Sequence, residues 1–101
     1  EFLTKIDTQT QDALDFIDLS DNPDLEYDFK FNTQLRVIKL RGVIHTKPEL
    51  SDLVKNLQNR TESDNAYCTV TYEGVEDAET DALEKAAEAK GWDFYISYTT
   101  N

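Results

Sequence analysis

The succession of strand and helix patterns after residue 34 constrains the fold of this chain more than any other feature. Three runs alternate apolar and polar residues or are rich in β-branched residues, and two runs with helical spacing separate them. Strands that alternate with helices in this way are typical of a sheet with helical crossovers. The predicted strands are 35–45, 66–74 and 92–100, and the predicted helices are 46–60 and 77–91.

The helix over 46–60 has the clearest start signal. Thr46 is the expected N-cap, Pro48 falls in the first turn, and Glu49 completes a capping box. For the helix over 77–91, Asp77 is the expected cap and Gly91 the expected stop. A buried stripe of the first of these helices is predicted at residues with the spacing of one helix face: Leu50, Leu53, Val54 and Leu57.

The first third of the chain predicts one more helix and one more strand. Apolar residues near helical spacing predict a helix over 8–19, capped by Thr8 or Thr10. Residues 25–32 alternate between apolar and polar, which predicts a half-buried strand. Because only a short turn follows, this strand is expected to form an antiparallel hairpin with the strand at 35–45.

These patterns predict an α+β fold in the order α-β-β-α-β-α-β. The four-stranded sheet is expected to mix parallel and antiparallel pairs, with the helices mainly on one face and the other face open. Gly42 is expected to mark a bulge or a close backbone approach. With 101 residues, 39% of them apolar, we expect one domain over 1–101, in which residues 1–7 are flexible or foreign to the native chain.

The formal net charge of −11 is unevenly distributed along the chain. Residues 1–34 hold nine acidic and two basic residues, residues 35–60 hold two and six, and residues 61–101 hold ten and two. So negative a field repels phosphate backbones and accelerates encounters with basic proteins. We therefore expect a basic protein partner rather than nucleic acid, although surface charge also simply keeps small domains soluble.

An aspartate stands at every third position from Asp12 to Asp24. On the predicted first helix, three of these aspartates spread over about 120° of one side. Aspartate is a weak helix former, and the helix dipole disfavours Asp15 and Asp18 near the C-terminal end. Two interpretations stay open: an ordinary solvated helix face, or a surface that imitates a phosphate backbone.

Little in the sequence suggests catalysis or a metal site. A calcium loop beginning at Asp18 would have Pro23 where glycine is needed and Phe29 where glutamate is needed. His45 and Cys68 are the only histidine and cysteine, and they can act as a pair only if the fold brings them together. We therefore expect no enzyme, no metal and no cofactor.

The expected open sheet face suggests a different function. Lys30, Lys39 and Arg41 would lie there beside Tyr67 and Tyr95, and cations interleaved with aromatic residues suit single-stranded RNA. The signature motifs of an RNA-recognition sheet are missing from the sequence. The plainer interpretation is that these cations pair with acids across the sheet.

Location is predicted from what the sequence lacks. It has no apolar run near the ~20 residues of a membrane-spanning helix, so we expect no membrane partner. A single cysteine forms no internal disulfide, which favours the cytoplasm, or the host cytoplasm for a viral protein.

The segment "EAKGWDFYISY" (88–98) resembles the last helix and strand of acidic nuclease inhibitors of the barstar family. That resemblance covers only this segment and carries no residue roles.

The sequence thus predicts a non-enzymatic acidic binding protein. It would occlude a basic, nucleic-acid-handling partner such as a nuclease or a host defence complex, as an inhibitor or phosphate mimic. The alternatives are a structural or assembly domain whose charge only confers solubility, and an RNA-binding sheet. The predicted partner-binding residues are carboxylates of the first and third predicted helices and their surroundings: Asp12, Asp15, Asp18, Asp21, Asp24, Glu76, Asp77, Asp81, Glu84 and Glu88.

Overall fold

A computed structural model describes residues 2–8, 13–29 and 32–99 of the chain. They form a four-stranded sheet in which every pair of neighbours is parallel and strand order follows chain order. The elements are β1 (Phe16–Asp18), β2 (Val37–His45), α1 (Lys47–Asn56), a 3-10 turn (Glu62–Asp64), β3 (Tyr67–Tyr72), α2 (Ala78–Ala89) and β4 (Asp93–Tyr98).

Both helices lie on the same face of the sheet and pack against each other. Successive right-handed crossovers that step across a sheet in one direction leave their helices on one side. The Cα atoms extend over 37 × 35 × 19 Å, and the short dimension is that of one sheet and one helix layer. Among the described residues, no helix has the length and apolar character needed to cross a membrane.

The core fills the space between the sheet and the helices. Ile17, Ile38, Cys68 and Phe94 lie in one register row across all four strands, and all of them are buried. The stripe predicted for α1 packs against this row. Its burial is confirmed at each of the predicted positions: Leu50, Leu53, Val54 and Leu57.

The predicted starts of both helices are confirmed. The Thr46 hydroxyl accepts from the Glu49 N–H at 3.4 Å, and the Glu49 carboxylate accepts from the Thr46 N–H at 2.9 Å. Asp77 caps α2 by accepting from the Thr80 N–H at 2.8 Å. Because each cap satisfies backbone donors that a helix leaves unpaired, these short sequence signals fix where the two helices begin.

Lys90 ties the end of α2 to the end of α1. Its ammonium lies 2.9–3.0 Å from carbonyl oxygens at the C-terminus of α1, where the last carbonyls of a helix have no N–H donor four residues further on. A cation is also favoured there by the negative end of the helix dipole. The three acceptors are the carbonyls of Val54, Lys55 and Leu57.

The turn after α2 depends on a glycine. Gly91 has φ +92°, and an added Cβ would lie 1.9 Å from the Arg60 carbonyl oxygen. Next to it, the Trp92 indole N–H donates to the Gln58 carbonyl at 2.7 Å. The predicted stop at Gly91 is confirmed, because both the positive φ and the close approach exclude a side chain.

The predicted three helices and mixed sheet are wrong. In the helix expected over 8–19, residues 9–12 lie outside the described part, while residues 13–19 are not helical and include β1. Ile17 and Leu19 are both buried, which is the two-residue period of a strand. Weak helix formers at the aspartate positions and a parallel partner in β2 together favour the strand.

The predicted hairpin is also wrong. In the segment expected as a strand over 25–32, residues 30–31 lie outside the described part. Residues 25–29 belong to none of β1 to β4, and Glu26 makes only an isolated bridge with Lys5. The alternation does report burial correctly, because Leu25 and Phe29 are buried. This segment lies along α1, with which it forms a cleft, and β2 pairs with β1 and β3 instead.

The predicted irregularity at Gly42 is confirmed. The register between β2 and β3 shifts between Leu40 and Ile44, and Gly42 has φ +87°. A Cβ at this position would fall 2.7 Å from a carboxylate oxygen of Asp21. The glycine therefore allows the loop after β1 to lie directly against β2.

The core stripe gives a stability prediction. Leu53 is 4% exposed, so Leu53→Ala leaves a cavity and should lower the free energy of unfolding by about 2–5 kcal/mol. Urea denaturation measures this loss. Lys55→Ala, an exposed position on the same helix, is the control and should change stability by less than about 0.5 kcal/mol. Equal losses in the two variants would place Leu53 outside the core.

Candidate functional site

The predicted partner-binding carboxylates do not share one surface. Those from the first third of the chain lie in or beside β1, at one edge of the sheet, whereas those of α2 lie towards β4 at the other edge. Three interstrand spacings, about 14 Å, separate these edges. Asp12 lies outside the described residues.

The carboxylates near β1 have local partners. Asp15 lies 3.5 Å from the Arg36 guanidinium. The Asp18 carboxylate accepts from the Ser20 N–H at 3.1 Å, and hydrogen bonding from Ser20 lowers the pKa of Asp18. The positive charge of Lys39 on the neighbouring strand lowers the pKa of Asp18 further. These residues therefore stabilise the edge at β1.

The loop after β1 carries the other two predicted aspartates. Asp21 adopts φ +66° and its N–H donates to the Arg41 carbonyl at 2.9 Å, which continues the pairing alongside β2. Aspartate tolerates this left-handed conformation better than most residues. Asp24 follows in the turn that carries the chain away from the sheet.

Two acids at the start of α2 are paired. Asp77 lies 3.0 Å from the Lys47 ammonium, and Glu79 lies 3.7 Å from it. Hydrogen bonding from the Thr80 N–H and then from Lys47 lowers the pKa of Asp77. The position of Asp77 is therefore explained by helix capping and by its contact with α1.

The remaining acids around α2 form a different group, which we call the α2 flank: Glu76, Asp81, Glu84 and Glu88. Helical spacing places the last three within about 60° of one another around the axis. A hydrogen bond with Asp81, and then the charges of Asp81 and Glu84, raise the pKa of Glu76. Within the described ranges, these carboxylates form no ion pair.

The α2 flank lies on the side of the helix away from α1. The opposite side of α2, with Ala82 and Leu83, lines a groove shared with Pro48 of α1. Burial raises the pKa of the Tyr98 hydroxyl at the end of β4, and the nearby charges of the α2 flank add to this. These carboxylates therefore lie close to the outer strand of the sheet.

The face of the sheet without helices is open, and it carries aromatic side chains. Phe16 and Tyr95 are 50% and 53% exposed. The Lys39 ammonium lies 5.4 Å from the centre of the Phe16 ring and 6.0 Å from that of Tyr67. These three strands thus present a cation held between two rings. Lys30, which was expected on this face, lies outside the described residues.

His45 is buried with both ring nitrogens bonded. Nδ1 lies 2.7 Å and 3.1 Å from the carbonyl oxygens of Val43 and Thr71. Because carbonyls only accept, Nδ1 carries the proton and Nε2 accepts from the Tyr27 hydroxyl at 2.7 Å. Burial raises the pKa of the Cys68 thiol. Both ring nitrogens are already hydrogen-bonded and the thiol is protonated, so these two side chains stabilise the core.

A cleft of about 330 Å³ lies between residues 25–29 and α1. Glu26, Asp28, Glu49 and Asp52 line it together with apolar side chains. Glu49 is held by its capping bond to the Thr46 N–H. In the part of the chain that the structure describes, no group of three or more His, Cys, Asp or Glu side chains is arranged to hold a metal ion.

Comparison with protein-family profiles, with curated protein sequences and with solved structures gives no match to this chain. Its function therefore has to be inferred from its own residues.

The sequence did not predict that Phe16 lies on the open face, because that residue was assigned to a helix. The two-residue spacing of Ile17 and Leu19 is the signal that would have placed it correctly.

The buried imidazole gives a pH prediction. Burial lowers the pKa of His45 from its ordinary value of 6.5, against the opposing effects of its carbonyl partners and Glu49. Above about pH 6.5 the imidazole is neutral in both the folded and the unfolded chain, and the stability from the buried neutral ring is fully present. Below about pH 6.5 the imidazole of the unfolded chain binds a proton more readily than that of the folded protein, so the free energy of unfolding decreases as the pH falls. The free energy of unfolding, measured by urea denaturation, should therefore decrease less between about pH 7 and pH 5 in His45→Gln than in the wild type.

The control for this measurement is Leu57→Ala, which removes a buried side chain at the end of α1 but makes no change to the hydrogen bonds of the imidazole. It should keep the pH dependence of the wild type even if its overall stability is lower. The same pH dependence in His45→Gln and the wild type would show that the carboxylates account for the whole effect.

Proposed function

We propose that this chain is a non-enzymatic acidic domain that binds a basic, nucleic-acid-handling protein and occludes its phosphate-binding surface. The observation that carries the proposal is a contrast within α2. Asp77 and Glu79 are paired with Lys47, whereas the α2 flank projects carboxylates that form no ion pair among the described residues. Like charges held together without counter-ions are most readily stabilised by the cations of a partner.

The mechanism follows from the chemistry of carboxylates. Arginine binds carboxylate and phosphate with the same bidentate geometry, so a surface built for phosphates also accepts a row of carboxylates. The net charge of −11 would speed the encounter and would repel competing nucleic acid. The aspartates near β1 lie at the other edge of the sheet, and because Asp15 and Asp18 have local partners there, we assign the contact to the α2 flank.

The proposal includes a cytoplasmic location, in the host cytoplasm if the protein is viral. Its support is the single cysteine, which is buried in the core as a thiol. A domain that relies on core packing rather than on a disulfide suits a reducing compartment.

The first experiment compares two variants that remove the same amount of charge from opposite edges. Asp81→Asn, Glu84→Gln and Glu88→Gln together remove three of the four carboxylates of the α2 flank. The control combines Asp15→Asn, Asp18→Asn and Asp24→Asn. Immobilised wild type should retain basic nucleic-acid-handling proteins from a nuclease-treated lysate at about 0.05 M salt and release them at about 0.5 M, because salt screens exposed charges.

The α2 triple variant should lose this retention, while the control variant keeps it. A short DNA duplex should also release the partner, because occlusion means that DNA and this chain compete for one surface. Retention that depends on neither salt, DNA nor the two variants would refute occlusion and favour a structural or assembly role.

RNA binding by the open sheet face is a second candidate. The observation that favours it is Lys39 held over the rings of Phe16 and Tyr67, since aromatic platforms with cations stack single-stranded bases. The acidic proposal predicts no binding of a fluorescent single-stranded RNA by the wild type. Binding that is lost in the double variant Lys39→Ala and Arg41→Ala would favour the sheet face instead.

A further inference from the structure

β4 is the last strand of the sheet, and it pairs on one side only. The Asp93 N–H donates to the Ala66 carbonyl at 3.0 Å, and the Thr99 N–H donates to the Tyr72 carbonyl at 3.1 Å. Because N–H groups along a strand alternate between its two sides, every second one points away from β3. No other described strand pairs with that side. The outward N–H groups belong to Phe94, Ile96 and Tyr98.

This edge lacks the usual protection of edge strands. Natural sheets shield their edges with lysines, prolines, bulges or very short strands. β4 has six residues, pairs with β3 without a register shift, and carries Asp93 as its one charged residue. β1, at the other edge, has only three residues. β4 is therefore the edge that is prepared to accept a further strand.

The α2 flank borders this edge on the helix side. Asp81, Glu84 and Glu88 lie about 100–160° around the helix from Ala82, which faces α1. Their steps along the axis are about 4.5 and 6 Å. Side chains on one face of a strand repeat at about 6.6–6.8 Å. A strand added beside β4 would therefore bring every second side chain close to these carboxylates.

We propose that an extended, basic segment of the partner adds to β4 as a fifth strand. Its alternate lysine or arginine side chains would contact the α2 flank, and the side chains between them would lie on the open face beside Tyr95. Backbone hydrogen bonds would supply affinity, and the alternating charges would supply selectivity. This inference rests on the proposed function and specifies how the partner is recognised.

Charge complementarity selects this occupant over a second copy of the chain. Pairing two β4 edges would bring two α2 flanks together, each of them carrying negative charge without a described counter-ion. Like charges brought together across an interface oppose association. A basic segment instead brings positive charge to the carboxylates of Glu76 and Asp81, whose mutual hydrogen bond and charges raise the pKa of Glu76.

The test uses the whole protein and a synthetic peptide in which lysine alternates with threonine. In an added strand, all lysine side chains lie on one face, and all lysine N–H groups point to one side. Two matched peptides carry N-methyl groups either on every lysine amide or on every threonine amide. One of them blocks pairing with β4, and the other modifies only the side that faces solvent.

Binding is measured by fluorescence anisotropy at low salt. We expect one methylated peptide to bind about tenfold more weakly than the parent peptide, or worse, while the other binds within about twofold to threefold. On binding of the parent peptide, hydrogen exchange should slow at the Ile96 amide. The Val70 amide, inside the sheet, is the control and should not change.

Three outcomes would overturn strand addition. If both methylated peptides bind as tightly as the parent, the contact is made by charge alone; the proposed function survives and strand addition fails. If the parent peptide does not bind and the lysate experiment also retains no basic protein, both proposals fail. A dimer of the free protein in sedimentation, broken by Ile96→Pro, would show that a second copy occupies the edge.

Discussion

The direction of its two helical crossovers determines most of what is distinctive in this protein. Each passage from strand to helix to the next strand joins parallel neighbours and steps in the same direction across the sheet, and both helices cover one face. Crossovers of one hand leave their helices on one side in such an arrangement. Among the described residues, no helix covers the opposite face and no strand pairs with the outer side of β4. The open aromatic face and the free edge of β4 thus have one topological cause.

The second helix holds its place because of contacts at both of its ends. Lys47 joins its start to α1 through Asp77, and Lys90 joins its end to the last carbonyls of α1. Both basic residues are used in internal contacts. Lys85, the other lysine of α2, forms no ion pair with the α2 flank among the described residues.

The sequence predicted those parts of the fold whose signals are local. A cap such as Thr46 acts within one turn of backbone, so α1 and α2 were predicted with the correct starts. Strand pairing depends on distant residues, and the first third of the chain was wrong for this reason. In residues 25–29 buried Leu25 and Phe29 alternate with exposed residues as expected. The backbone of this segment, however, bonds at Glu26 to Thr4 and Ile6 rather than to β2.

The candidate site was predictable to a similar extent. Composition identified the acids of α2, and helical periodicity identified which of them share a side. It could not show that Lys47 neutralises Asp77, because that contact joins two helices far apart in the chain. Nor could it place Asp15 and Asp18 at the opposite edge, since their assignment depended on a helix that residues 13–19 do not form.

The agreement between strand order and chain order also has a consequence for how the chain folds. Each strand from β2 onwards pairs with the strand that precedes it in the sequence, so its pairing partner has already been synthesised when it forms. Contacts between neighbouring units close loops of moderate length, which lowers the entropy cost of the folding transition state. On a ribosome, the sheet would grow one strand at a time in the order of synthesis, with β4 completing it last.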